Sequence, residues 1–186
     1  MGKSSPSLVT IQTAADALRE YKRSALKHMG HPARTREKTG YDQARVSPRQ
    51  VRYLMAALGR PTHRPRWKGD PMLVEVTEVA LCALFIVVNE IFGLTSRAAW
   101  AGLFYNADAI RDGLRHPDKD LMVEISTDLV SVRRNGPKRD EAMSQPLAIL
   151  RTEIEEFVAE SLERRPLSQM VLARAAMPMQ GSYLTA

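Results

Sequence analysis

The chain has 186 residues, 44% hydrophobic and 26% charged, with a formal net charge of +6 and an isoelectric point near 9.7. That length suits one domain or one small domain with appendages, and the apolar fraction excludes a collagen-like or wholly disordered chain. One cysteine excludes an internal disulfide framework and a multi-cysteine zinc site, and the longest apolar run, Val79 to Val88, is well short of the roughly 20 residues of a bilayer span.

Met1 to Ser7 is polar, carries no signal-like pattern and reads as a loose lead-in, so a cytoplasmic protein without a membrane partner is expected. From Thr10, the residues Ile11, Ala14, Ala15, Leu18, Tyr21, Ala25, Leu26 and Met29 recur at helical spacing, and Gly30 supplies a stop. Arg19, Lys22, Arg23 and Lys27 fall on or beside the polar face of this helix. His31 to Gly40 reads as a basic, mobile linker.

The segment Val46-Ser47-Pro48-Arg49-Gln50-Val51-Arg52-Tyr53-Leu54-Met55-Ala56-Ala57-Leu58-Gly59 has the grammar of a capped helix. Ser47 is a natural N-cap, Pro48 suits the first helical position, and Gly59 suits a left-handed end. Val51, Leu54, Met55 and Leu58 make one apolar stripe, and Arg49, Gln50, Arg52 and Tyr53 lie mostly off it. Prolines then break the pattern. Arg64-Pro65-Arg66-Trp67-Lys68 and Met72-Leu73-Val74-Glu75-Val76 flank Gly69-Asp70, which predicts a short β-ribbon with a basic first arm.

Thr77 is the candidate N-cap of a helix over Glu78 to Phe92, apolar on nearly every face and therefore central to the core; Gly93 stops it. Thr95 or Ser96 caps the next, which runs to about Leu114 and buries Ala98, Ala99, Leu103, Ile110 and Leu114. After His116-Pro117-Asp118, Leu121 to Ile125 reads as a strand, and Asp128 to Arg134 fits strand or helix equally. Pro146 opens a last helix. Its Leu147, Leu150, Ile154, Phe157 and Ser161-Leu162 form a seam of about two heptads, suited to self-association or to packing on its own core. Pro166 ends it before a mobile, Met-rich tail.

Charge is unevenly spread. Between Arg19 and Lys68 stand fourteen Lys and Arg against three acids, a balance of +11, and the remainder of the chain is near −5. Such asymmetry points to one polyanion-facing end and one packing or partner-facing end.

Helix, capped helix, basic ribbon, apolar helix, Gly-x-Thr/Ser break, helix is the layout of a winged helix-turn-helix. Across Tyr41 to Phe104 it resembles the MerR-type DNA-binding domain, with Val46 to Tyr53 matching the second, recognition helix and Arg64 to Lys68 the wing. Glu78 through Ser96 is similar to the third helix and the turn into the fourth. Arg45 stands where members carry Gly, and a single Tyr follows Arg52. The resemblance implies a mainly α chain whose winged helix-turn-helix core spans 41–115. Segment 1–40 then holds the N-terminal helix and linker, 116–165 a small strand and helix region, and 166–186 the tail. It also implies major-groove reading by Ser47, Arg49, Gln50, Arg52 and Tyr53, and backbone contact by Arg64, Arg66, Trp67 and Lys68, since Arg pairs bidentately with guanine and Gln with adenine.

Other groupings carry less chemistry. His28 and His31 are three apart, but Gly30 and Pro32 interrupt them and no third metal ligand is near. Cys82 lies among apolar neighbours and reads as core. Asp108, Asp112, Asp118, Asp120, Glu124 and Asp128 read as a solvated acidic region, and neither Ser131 nor Ser144 has a nearby histidine. No catalytic residue, metal or cofactor is expected. The reading is a DNA-binding transcriptional regulator, partnered by double-stranded DNA and by a second copy in a homodimer. Its alternative is a non-enzymatic accessory protein of antitoxin or phage-adaptor type whose Leu147 to Leu162 helix binds a protein.

Overall fold

The computed structural model describes residues 8–28, 44–58, 72–91, 96–116, 121–125, 130–134 and 143–165. Among the described residues, five α-helices and two small antiparallel sheets share one apolar cluster running from Val9 to Leu162. No described helix is long and apolar enough to cross a membrane.

Strand β1 (Leu8–Thr10) leads directly into helix α1 (Ile11–His28). Thr10 caps the junction, its Oγ1 accepting from the Thr13 amide at 3.1 Å. Ile11, Ala14, Ala15, Leu18, Tyr21 and Leu26 are buried, as their spacing predicts, and Lys22, expected near the polar face, is also covered. Burial, reinforced by the Glu153 carboxylate, pushes the Tyr21 phenol well above its ordinary pKa. Helix α2 (Pro48–Ala57) follows, then strand β2 (Leu73–Glu75) and helix α3 (Val76–Ile86), which continues as a π-helical segment over Val87–Ile91.

The second arm of the expected ribbon is therefore a strand, but its described partner is β1. Val9 faces Val74, and Thr10 faces Leu73. Both strands are short apolar lead-ins to core helices, so pairing them satisfies backbone groups that burial would otherwise orphan. The basic arm, Arg64 to Lys68, lies outside the described residues. Helix α3 starts at Val76 rather than after Thr77 because β2 delivers the chain straight into it; every residue from Val76 to Ile86 is buried.

Helix α4 (Ser96–Arg115) packs on α3 and buries Leu103, Ala107, Ile110 and Leu114, whereas Ala98, expected on the buried side, is exposed. The segment Asp128 to Arg134, open between strand and helix, forms β4 (Val130–Arg134), which pairs with β3 (Leu121–Ile125). Strand β5 (Met143–Pro146), not anticipated, closes the sheet in the order β4-β3-β5. Gly102 of α4 lets this sheet approach: a Cβ there would stand 2.6 Å from the Val130 Cβ. Glu124, expected in solvent, is buried on β3 with Arg133 at 3.2 Å, because β3 is the central strand.

Helix α5 (Leu147–Glu163) lies along α1 and also meets α3, α4 and β3. Its seam residues Leu147, Leu150 and Ile154 are wholly buried in the chain's own core, and Leu162 nearly so. The seam that suggested self-association or partner binding through Leu147 to Leu162 is thus largely spent inside the chain, against α1, α3 and α4, while Ile149 of the same helix stays exposed. Arg165 pairs with Asp16 of α1 beyond its end.

A polar interaction crosses this apolar interior. Glu78 of α3 and Arg111 of α4 are each about 95% buried and form two hydrogen bonds, Nε to Oε1 at 2.8 Å and Nη2 to Oε2 at 3.1 Å. Burial opposes the charge on Arg111, but the Glu78 carboxylate and Asp108 outweigh it and hold the guanidinium protonated. Removing one partner leaves a buried, uncompensated charge, at a cost of about 3–5 kcal/mol. Arg111→Leu is expected to lower urea-unfolding stability by that amount, and a paired Glu78→Met, Arg111→Leu change to restore most of it; equal loss in single and double variants would show that the pairing is not what matters. Gly102→Ala is expected to cost about 1–3 kcal/mol in the same assay.

Candidate nucleic-acid interface

Helix α2 is built as the sequence dictates. Pro48 occupies its first turn, where a missing N–H costs nothing. The Ser47 Oγ accepts from the Gln50 amide at 3.2 Å, and the Gln50 Oε1 accepts from the Ser47 amide at 2.8 Å, completing a capping box. Inward, Val51, Leu54, Met55 and Leu58 are buried, and the Met55 Sδ lies 3.6 Å from the Cys82 Sγ of α3. Cys82 is core, as expected; burial raises its thiol far above the usual range.

The far end of α2 is held by the clamp. Arg111 donates its Nη2 to the Leu58 carbonyl at 3.2 Å while gripping Glu78. Three elements thus fix α2: its own cap, the sulfur contact with α3 and a guanidinium from α4. Sequence reasoning missed Arg111. The available signal was Glu78, a lone charge in an otherwise apolar helix, which demands a buried partner.

Outward, Arg49, Arg52 and Tyr53 are exposed, with Ala56 one turn further on. These positions follow the i, i+3, i+4, i+7 rhythm of a single helix face. Arg45 is exposed just before the cap, and no acid occurs between Ala44 and Leu58, so the segment presents positive charge alone. Gln50 is exposed, but its side-chain oxygen is engaged by the capping box. In this conformation it cannot offer adenine the paired donor and acceptor that two-point recognition needs. Arg64, Arg66, Trp67 and Lys68 lie outside the described residues, so the structure does not join them to this face.

Among the described residues α1 and α3 both pack on α2, and residues 29–47 of the sequence stand between α1 and α2. A helix-turn-helix uses a turn of about three or four residues, so the pair departs from that motif in its connection. His28 is exposed, with its Nδ1 2.9 Å from the Ser24 carbonyl, and His31 is undescribed. Among the described residues no three His, Cys, Asp or Glu side chains converge. A polar cleft of about 360 Å³ between α1 and the end of α5 is lined by Asp16, Arg19, Glu20, Ser161, Arg164 and Arg165. Its acids face arginines, Asp16 with Arg165 and Glu20 with Arg23 and Arg164.

No protein-family model matches this chain, and neither characterised proteins nor solved structures give a match.

The capping box carries a separate expectation. Ser47→Ala removes an N-cap and is expected to cost about 1 kcal/mol in thermal or urea unfolding, whereas Ser47→Asp is expected to be near neutral. A Ser47→Ala variant as stable as the wild type would mean that the cap contributes nothing.

Proposed function

We propose that this protein is a sequence-specific DNA-binding regulator that reads double-stranded DNA through the outward face of α2. The observation that carries the reading is a helix fastened at its start, middle and end whose exposed face bears Arg49, Arg52 and Tyr53 and no acid. A helix fits the major groove, and an Arg held bidentate to guanine is worth about 1–3 kcal/mol of discrimination. Restraint of α2 matters because a side chain that must first be ordered spends part of that energy on its own entropy.

Arg49 and Arg52 are the base readers in this proposal, and Tyr53 adds an aromatic edge. Gln50 serves first as the cap's acceptor, and its contribution to reading requires that bond to open. Arg64, Arg66, Trp67 and Lys68 supply the winged helix-turn-helix reading with phosphate contacts, on the strength of their composition and the MerR-type resemblance. The rival reading, an accessory protein binding through Leu147 to Leu162, is less favoured because most of that seam is buried in the chain's own core.

The test is equilibrium titration of labelled duplexes, first selected from a random pool, at two salt concentrations. Arg49→Ala is expected to erase preference among sequences, at a cost of about 1–3 kcal/mol on the best site. Lys68→Ala is expected to weaken all duplexes alike and to reduce the salt slope by about 1. Absence of any selected sequence, or identical behaviour of the two variants, overturns the proposal.

A further inference from the structure

Helix α4 has three differently used sides. Leu103, Ala107, Ile110, Arg111 and Leu114 face the core, and Gly102 and Asn106 face β4, where the Asn106 Nδ2 donates to the Val130 carbonyl at 2.9 Å. The remaining side is exposed, and it is not the usual polar face of an amphipathic helix. Phe104 and Tyr105 are 61% and 84% exposed, their rings edge to face with centroids 6.1 Å apart. Ala98 and Ala101 extend the apolar stripe toward the N-terminus, where Arg97 is exposed, and Asp108 and Asp112 end it on the other side.

We propose that this face of α4 is a two-fold interface with a second copy of the same chain. The charge order makes the stripe complementary to itself. An antiparallel pairing centred between Phe104 and Tyr105 sets each Phe104 against the other copy's Tyr105. The same register sets Arg97 of one copy against Asp112 of the other, with Asp108 beside it, and the contact occurs twice. Such a surface is isologous, the pattern of closed two-fold dimers. A nucleic acid fits it poorly, because Asp108 and Asp112 repel phosphate where the rings would stack. The four rings would cover roughly 600 Å² of the roughly 1,200–2,000 Å² of a stable interface, so flanking residues complete a modest contact and the dimer forms at micromolar concentration. The inference is independent of DNA binding and moves self-association from the α5 seam to α4.

The experiment is sedimentation velocity on the full chain over a micromolar concentration series, with circular dichroism as the folding check. The wild type is expected to pass from monomer to dimer within the series. Phe104→Asp, on an exposed site, is expected to raise the dissociation constant at least about tenfold, placing an unpaired charge at the centre of the contact. Arg97→Glu is expected to weaken the dimer several-fold, and adding Asp112→Lys to recover most of the loss, since the swap restores opposite charges across the two-fold. This rim pair reads out the interface even if Phe104→Asp folds poorly. A wild type that stays monomeric throughout overturns the proposal, including one that instead holds a different protein through this face. So does a dimer indifferent to Phe104→Asp, or a double reversal no better than Arg97→Glu alone.

Discussion

A buried guanidinium governs how the helices of this protein sit. Arg111 reaches from α4 to Glu78 on α3 and to the carbonyl of Leu58, the residue that caps the end of α2, so one planar side chain sets the relative position of three helices. Apolar packing alone would allow α2 to slide or roll on its neighbours at little cost, because its buried residues Val51, Leu54 and Met55 carry no directional group. A fork of N–H donors has direction and tolerates no such slip. The desolvation cost of burying two charges is offset only in that one geometry, so the clamp favours one arrangement more than it adds stability.

The exposed face of α2 inherits its rigidity from this arrangement. A cap at Ser47 fixes the first turn, the Met55 and Cys82 sulfurs meet in the middle, and Arg111 holds the end. The same economy constrains Gln50, whose amide oxygen cannot serve the cap and a base at once. The exposed positive charge of this face therefore rests on Arg49 and Arg52, which have no intrahelical acid to neutralise them.

Helix α4 links the two surfaces. Its inner side carries Arg111, and its outer side carries Phe104 and Tyr105 about two turns away. A contact made on the outer rings bears on the same rigid rod that holds the end of α2.

Much of the fold was legible in the residues. Helical spacing located α1, α2 and α5, Ser47-Pro48 marked the start of α2 to the residue, and the uniform apolarity of Val79 to Val88 announced a central helix. The outward setting of Arg49 and Arg52 followed from the same periodicity. Only tertiary structure chose the mates: β1 for β2, α1 for the Leu147 to Leu162 seam, Arg111 for Glu78, and a strand for Val130 to Arg134. The physical reason is that periodicity records which side of an element avoids water, whereas the identity of what covers that side depends on contacts between residues far apart in the chain, which no local spacing encodes.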